Sequence, residues 1–84
     1  MGRYVARIEV RLKRGYLDPE GETVKRALQD LGYRVEGVST SRAYEVSFSA
    51  SSIEDARRTA EEMCRKLLSN PVKDDYSFEV REER

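Results

Sequence analysis

The sequence predicts an α+β protein, a two-layer sandwich in which one antiparallel sheet carries two helices on one face. Three observations predict it. Apolar residues alternate with period two in three stretches and more weakly in a fourth, the pattern of strands with one covered face. Two intervening stretches carry apolar residues at helical spacing instead. The six run strand, helix, strand, strand, helix, strand, the βαββαβ order of a ferredoxin-like fold. With 84 residues the chain has room for one such domain, residues 1–84, and no second.

The first strand places Tyr4, Ala6, Ile8, Val10 and Leu12 on one side and Arg3, Val5, Arg7, Glu9, Arg11 and Lys13 on the other. Arg14-Gly15-Tyr16 ends it, with Gly15 free to take a positive φ. Asp18-Pro19 opens the first helix, because aspartate accepts from the free N–H groups of a first turn and proline fits there without its own N–H. Val24, Ala27, Leu28 and Leu31 form its apolar stripe, and Gly32 sits where a left-handed C-terminal cap belongs. Gly21 weakens the first turn. Tyr33, Val35 and Val38 suggest a second strand, short or irregular because Gly37 interrupts it.

After a Ser39-Thr40-Ser41 turn, Tyr44, Val46, Phe48 and Ala50 alternate into a third strand. Ser52 with Asp55 resembles an N-terminal capping box, and Ser51 with Glu54 is the other register. Ile53, Ala56, Ala60, Met63, Cys64 and Leu67 make the second helix's stripe, which Asn70-Pro71 terminates. Tyr76, Phe78 and Val80 form the last strand, and the charged tail Arg81–Arg84 is expected to fray. With the first and third strands inside the sheet, Val5, Arg7, Glu9, Arg11, Glu45 and Ser47 lie on its open face.

Composition excludes several functions. Sixteen basic residues balance 16 acidic ones, so the charge excess that drives non-specific nucleic-acid binding is missing. An RNA-binding sheet would present aromatics on its open face, whereas Tyr44 and Phe48 point to the core. No apolar run approaches the roughly 20 residues that span a bilayer. Met1-Gly2-Arg3-Tyr4 leads directly into charged alternation, and Ala6 stands where a myristoylation signal needs Ser or Thr. The expected location is the cytoplasm, with neither nucleic acid nor membrane as partner.

The chain has no histidine, the usual general base near neutral pH and the commonest metal ligand. Its one cysteine, Cys64, lies late in a helix beside the apolar stripe and reads as a small buried hydrophobe. Glu61-Glu62 and Asp74-Asp75 are neighbours whose side chains diverge, so they read as solvated surface. Lys13-Arg14-Gly15 lacks the full glycine-rich phosphate cradle. Asp18 and Asn70 are explained by a helix cap and a helix-end turn. Arginine outnumbers lysine 12 to 4, which suits bidentate ion pairing in interfaces and in heat-adapted surfaces alike. A chain this short buries a modest fraction of its surface, which favours oligomers or partners over a self-sufficient enzyme.

Several blocks carry a family resemblance. They are Lys13-Arg14-Gly15-Tyr16-Leu17-Asp18-Pro19-Glu20-Gly21, then Ala27-Leu28 and Leu31-Gly32-Tyr33, then Met63-Cys64, Leu67-Leu68 and Asn70-Pro71-Val72, followed by Tyr76. In order, spacing and chain length they resemble the PurS subunits of phosphoribosylformylglycinamidine synthase. The chain departs from many members in having Ser41, not glycine, before Arg42.

The resemblance implies a non-catalytic adaptor in a three-part complex of purine biosynthesis. In that complex a large synthetase subunit uses ATP and Mg to activate the amide oxygen of formylglycinamide ribonucleotide, and a glutaminase subunit releases ammonia. The small subunit couples the two, binds no cofactor alone and forms a homodimer or homotetramer. It implies no catalytic, cofactor or metal residue here. Lys13, Gly15, Leu17, Asp18, Pro19, Arg42, Asn70, Pro71 and Tyr76 become candidate interface residues. The alternative reading is a small dimeric metabolite-sensing regulatory domain. A stand-alone acyl-phosphate hydrolase fits poorly, because its glycine-rich anion loop is missing.

Overall fold

The alternating N-terminal run becomes the spine of the molecule. A computed structural model describes residues 1–83, in which β1 (Gly2–Leu12) is the central strand of a three-stranded sheet. β2 (Ser41–Ala50) and β3 (Asp74–Glu82) flank it, both antiparallel, in the order β2-β1-β3. The register places Ile8 between Tyr44 and Phe78, and Tyr4 opposite Phe48. Tyr4, Ala6, Ile8 and Val10 are buried on the covered face. Arg3, Arg7 and Arg11 point the other way and are exposed, with Arg7 facing Glu45 and Glu79 across the sheet. Val5, between Ser47 and Arg81, is buried despite lying on that open face.

One helix covers the sheet. In α2 (Ile53–Met63) the Ser52 hydroxyl accepts from Asp55 N–H at 3.1 Å, and the Asp55 carboxylate accepts in return from Ser51 N–H at 3.3 Å. Ala56 and Ala60 are fully buried, so their small side chains let the helix approach β1 and β3 closely. α2 continues into a π-helical turn, Cys64–Leu68, closed by Ser69 N–H donating to Cys64 C=O at 3.0 Å. That wider turn changes which leucine faces inward. Leu68 packs on the core while Leu67, assigned to the stripe by α-helical spacing, is 82% exposed.

The α+β class, the single antiparallel sheet and the two helices are as the sequence predicts; the predicted third strand, β2, is an edge and not an inner strand, and besides Leu67 three further details differ. Residues 33–40 form no strand: Tyr33, Val35 and Val38 do not join the sheet. Their polar groups bond to the helix before them instead, Tyr33 N–H to Leu28 C=O and Val35 C=O from Gln29 Nε2, so the segment follows α1 (Pro19–Asp30). Second, α1 is not packed on the sheet; it leaves from the Leu12–Ser41 end and buries only Gly21. Third, the tail does not fray as far as Glu83, whose N–H bonds Arg3 C=O at 2.8 Å; Arg84 lies outside the described residues. The radius of gyration is 16.6 Å over an extent of 52 Å. A compact domain of this length would measure about 12 Å.

Candidate partner interface

Two loops that are distant in sequence meet at the end of the sheet from which α1 departs. Lys13 N–H donates to Lys73 C=O at 2.7 Å, Lys13 Nζ reaches Asp75 Oδ1 at 2.9 Å, and Tyr16 OH donates to Val72 C=O at 3.3 Å. The Asp75 contact raises the Lys13 ammonium above its ordinary pKa, first through the hydrogen bond and then through charge. Gly15 turns the chain with φ 91°, a conformation that suits a residue with no Cβ.

The second loop is held by Asn70. Its Oδ1 accepts from Val72 N–H at 2.9 Å, and its own N–H donates to Asp74 Oδ2 at 2.8 Å. Pro71 sits exposed at the bend. The loops leave an apolar surface at their junction: Leu17 is 75% and Val72 70% exposed, with Tyr16 exposed beside them.

Asp18 ties this end to the root of α1. Its Oδ1 accepts from Gly21 N–H at 2.9 Å, the cap that the sequence predicts, and its Oδ2 accepts from Thr40 N–H at 2.7 Å. Thr40 Oγ1 adds a further bond at 3.0 Å. These donors hold the Asp18 carboxyl below its ordinary pKa, Gly21 contributing most and Thr40 next. Pro19 occupies the start of the helix. Gly21 lies so close to the carbonyl oxygen of Val38 that a Cβ there would collide with it.

A cleft of about 600 Å³ opens at the same end, lined among others by Val10, Leu12, Leu17, Asp18, Arg42 and Leu68. Arg42 is exposed on the helix-bearing face, opposite Val10, and makes no ion pair among the described residues. Lys13, Gly15, Leu17, Asp18, Pro19, Arg42, Asn70 and Pro71 therefore share one end of the molecule. Tyr76 stands apart: it pairs with Val10 within the sheet and packs on the core. Sequence reading missed Thr40, Tyr16 and Val72 as partners in this arrangement. Thr40 lies 22 residues from Asp18 in a serine-threonine turn, and no periodicity marks the pair.

Cys64 is fully buried, and burial pushes its thiol above its ordinary pKa, as befits a core side chain. Among the described residues no three His, Cys, Asp or Glu side chains gather as a metal site would require. What the arrangement offers is shape: braced loops, exposed apolar side chains and a cleft with Arg42 at its edge. Fold and site together define a small α+β domain with one end shaped by braced loops and partly apolar.

The family model for PurS, described as phosphoribosylformylglycinamidine (FGAM) synthase, matches residues 5–82. The chain belongs to the PurS family, small subunits of that synthase. It is 46% identical over 79 residues to the PurS subunit of Archaeoglobus fulgidus, covering 93% of this chain and 99% of that one. Among solved structures it resembles Thermus thermophilus PurS with a TM-score of 0.87 and 38% identity, over 98% and 99% of the two chains. It also resembles a chain in the structure of PurLQS from Thermotoga maritima, with a TM-score of 0.83 and 31% identity over 99% and 100%. None of these relatives supports the metabolite-sensing alternative.

Proposed function

We propose that this chain is the non-catalytic adaptor of a phosphoribosylformylglycinamidine synthase, coupling ammonia release by a glutaminase subunit to the ATP-dependent synthetase subunit. The observation that carries the reading is the end-to-end likeness to a chain in the PurLQS structure. ATP and Mg belong to the synthetase partner in this scheme, and the complex works in the cytoplasm as a purine-biosynthetic enzyme. The adaptor itself self-associates as a homodimer or homotetramer.

Its mechanistic share is binding energy. Loops already braced by Lys13–Asp75, Tyr16–Val72 and Asp18–Thr40 lose little freedom when a partner closes on them, so more of the contact energy appears as affinity. Leu17 and Val72 supply exposed apolar area, and Arg42 supplies a planar cation suited to a partner carboxylate. Binding that favours the coupling-competent arrangement of two larger subunits raises its population without any reacting group in this chain.

Co-sedimentation tests the reading. The synthetase and glutaminase subunits of the same organism should form one particle with this chain present and separate without it. Equal association in its absence would overturn the adaptor role.

A further inference from the structure

We infer that the two joined loops form a docking patch with an apolar centre and a cationic rim made by Arg14 and Lys73. It receives a surface of a larger subunit with the opposite layout, an apolar side chain flanked by carboxylates. The inference deepens the adaptor reading above and rests on it.

The bonds from Lys13 N–H to Lys73 C=O and from Tyr16 OH to Val72 C=O set residues 13–17 beside residues 72–73 as one surface. Leu17, Val72 and Tyr16 are its exposed apolar centre. Arg14 and Lys73, both exposed, put one cation next to that centre on each loop. The acidic residues of the same loops are already engaged. Asp75 accepts from Lys13 Nζ, Asp74 from Asn70 N–H, and Asp18 from Gly21 and Thr40 N–H. Glu20 and Glu22 lie in the first turn of α1, where carboxylates offset the positive end of the helix. Arg14 and Lys73 make no ion pair among the described residues. The whole chain is neutral, yet the charge left to meet a partner on these loops is positive.

That layout selects the occupant. Exposed leucine and valine side chains gain by leaving water, and they do so best around an apolar side chain of a partner. Cations at a rim stay partly solvated, so they act mainly by steering an acidic partner in and by penalising a basic one. A nucleic acid would satisfy the cations and leave the apolar centre uncovered. A second copy of this chain meeting patch to patch under two-fold symmetry would set cation against cation. An apolar side chain between carboxylates satisfies both parts of the patch.

Binding kinetics of the full chain with the two larger subunits test the patch. Arg14→Glu and Lys73→Glu, combined in one variant, should leave the circular dichroism melt unchanged, because the bonds that join the loops use neither side chain. Association of the wild-type chain should slow as salt is raised. At low salt the double variant should associate at least about 10-fold more slowly, with the salt dependence removed or reversed. Leu17→Ser should instead speed dissociation at least about 10-fold and keep the wild-type salt dependence. Faster association of the double variant would reveal a basic occupant, and rates equal to wild type in either variant would show that no partner meets the patch. Loss of self-association in sedimentation by the double variant would place a second copy there. Each of these results overturns the inference and leaves the adaptor reading standing. A wild-type chain that binds neither subunit would overturn the adaptor reading and the inference with it.

Discussion

Asp18 is the residue on which the most structure converges. One carboxylate caps α1 and holds the start of β2, so its removal frees two chain segments at once. Asp18→Ala should lower the melting temperature by several degrees, measured by circular dichroism, more than Ser52→Ala, which removes a cap alone. The pH dependence has a definite sign. Because the folded carboxyl lies below its ordinary value of 3.8, its contribution is complete at neutral pH and is lost as the pH falls below that value through the folded pKa. The melting-temperature gap between wild type and Asp18→Asn should therefore narrow in acid. Gly21 gives a sharper test. Helix propensity alone makes Gly21→Ala stabilising by about 1 kcal/mol. The carbonyl of Val38 against Gly21 reverses that sign, and the variant should melt below wild type. The cap at Asp18 was legible from Asp-Pro; the bond to Thr40 was not, because a tertiary contact leaves no local pattern.

Among the elements, those with a period of their own were legible and those defined by their neighbours were not. Tyr4 to Leu12, Tyr44 to Ala50 and Tyr76 to Val80 alternate, and each forms its strand. Tyr33, Val35 and Val38 hold no such period, and the hydrogen bonds of their segment go back to α1. The stripe of α2 reads correctly to Cys64 and fails one turn later, since a π turn adds a residue to the helical repeat. Leu67 and Leu68 separate the two geometries by mutation. Leu68→Ala should cost about 1–3 kcal/mol in denaturant unfolding as a core truncation, and Leu67→Ser should stay within about 0.5 kcal/mol. A straight α-helical ending would make Leu67 at least as costly. For α1, cap and boundaries were legible, but the stripe that helical spacing marks as apolar is not buried, since Val24, Ala27 and Leu31 are exposed.

At the scale of the whole molecule, the chain is a small neutral domain of a family of synthase subunits. The motif residues of the candidate interface were visible as blocks, and folding brings Lys13–Pro19, Arg42 and Asn70–Pro71 to one end. Leu17 distinguishes contact from stability there. Exposed to 75%, it should tolerate Leu17→Asp with a change in stability within about 0.5 kcal/mol, while the variant weakens assembly with the larger subunits. The most direct measurement compares turnover of the reconstituted synthase on glutamine and on free ammonia, with and without this chain. The adaptor account predicts that glutamine-driven synthesis requires the chain while ammonia-driven synthesis proceeds without it. Equal glutamine-driven rates in its presence and absence would contradict the account.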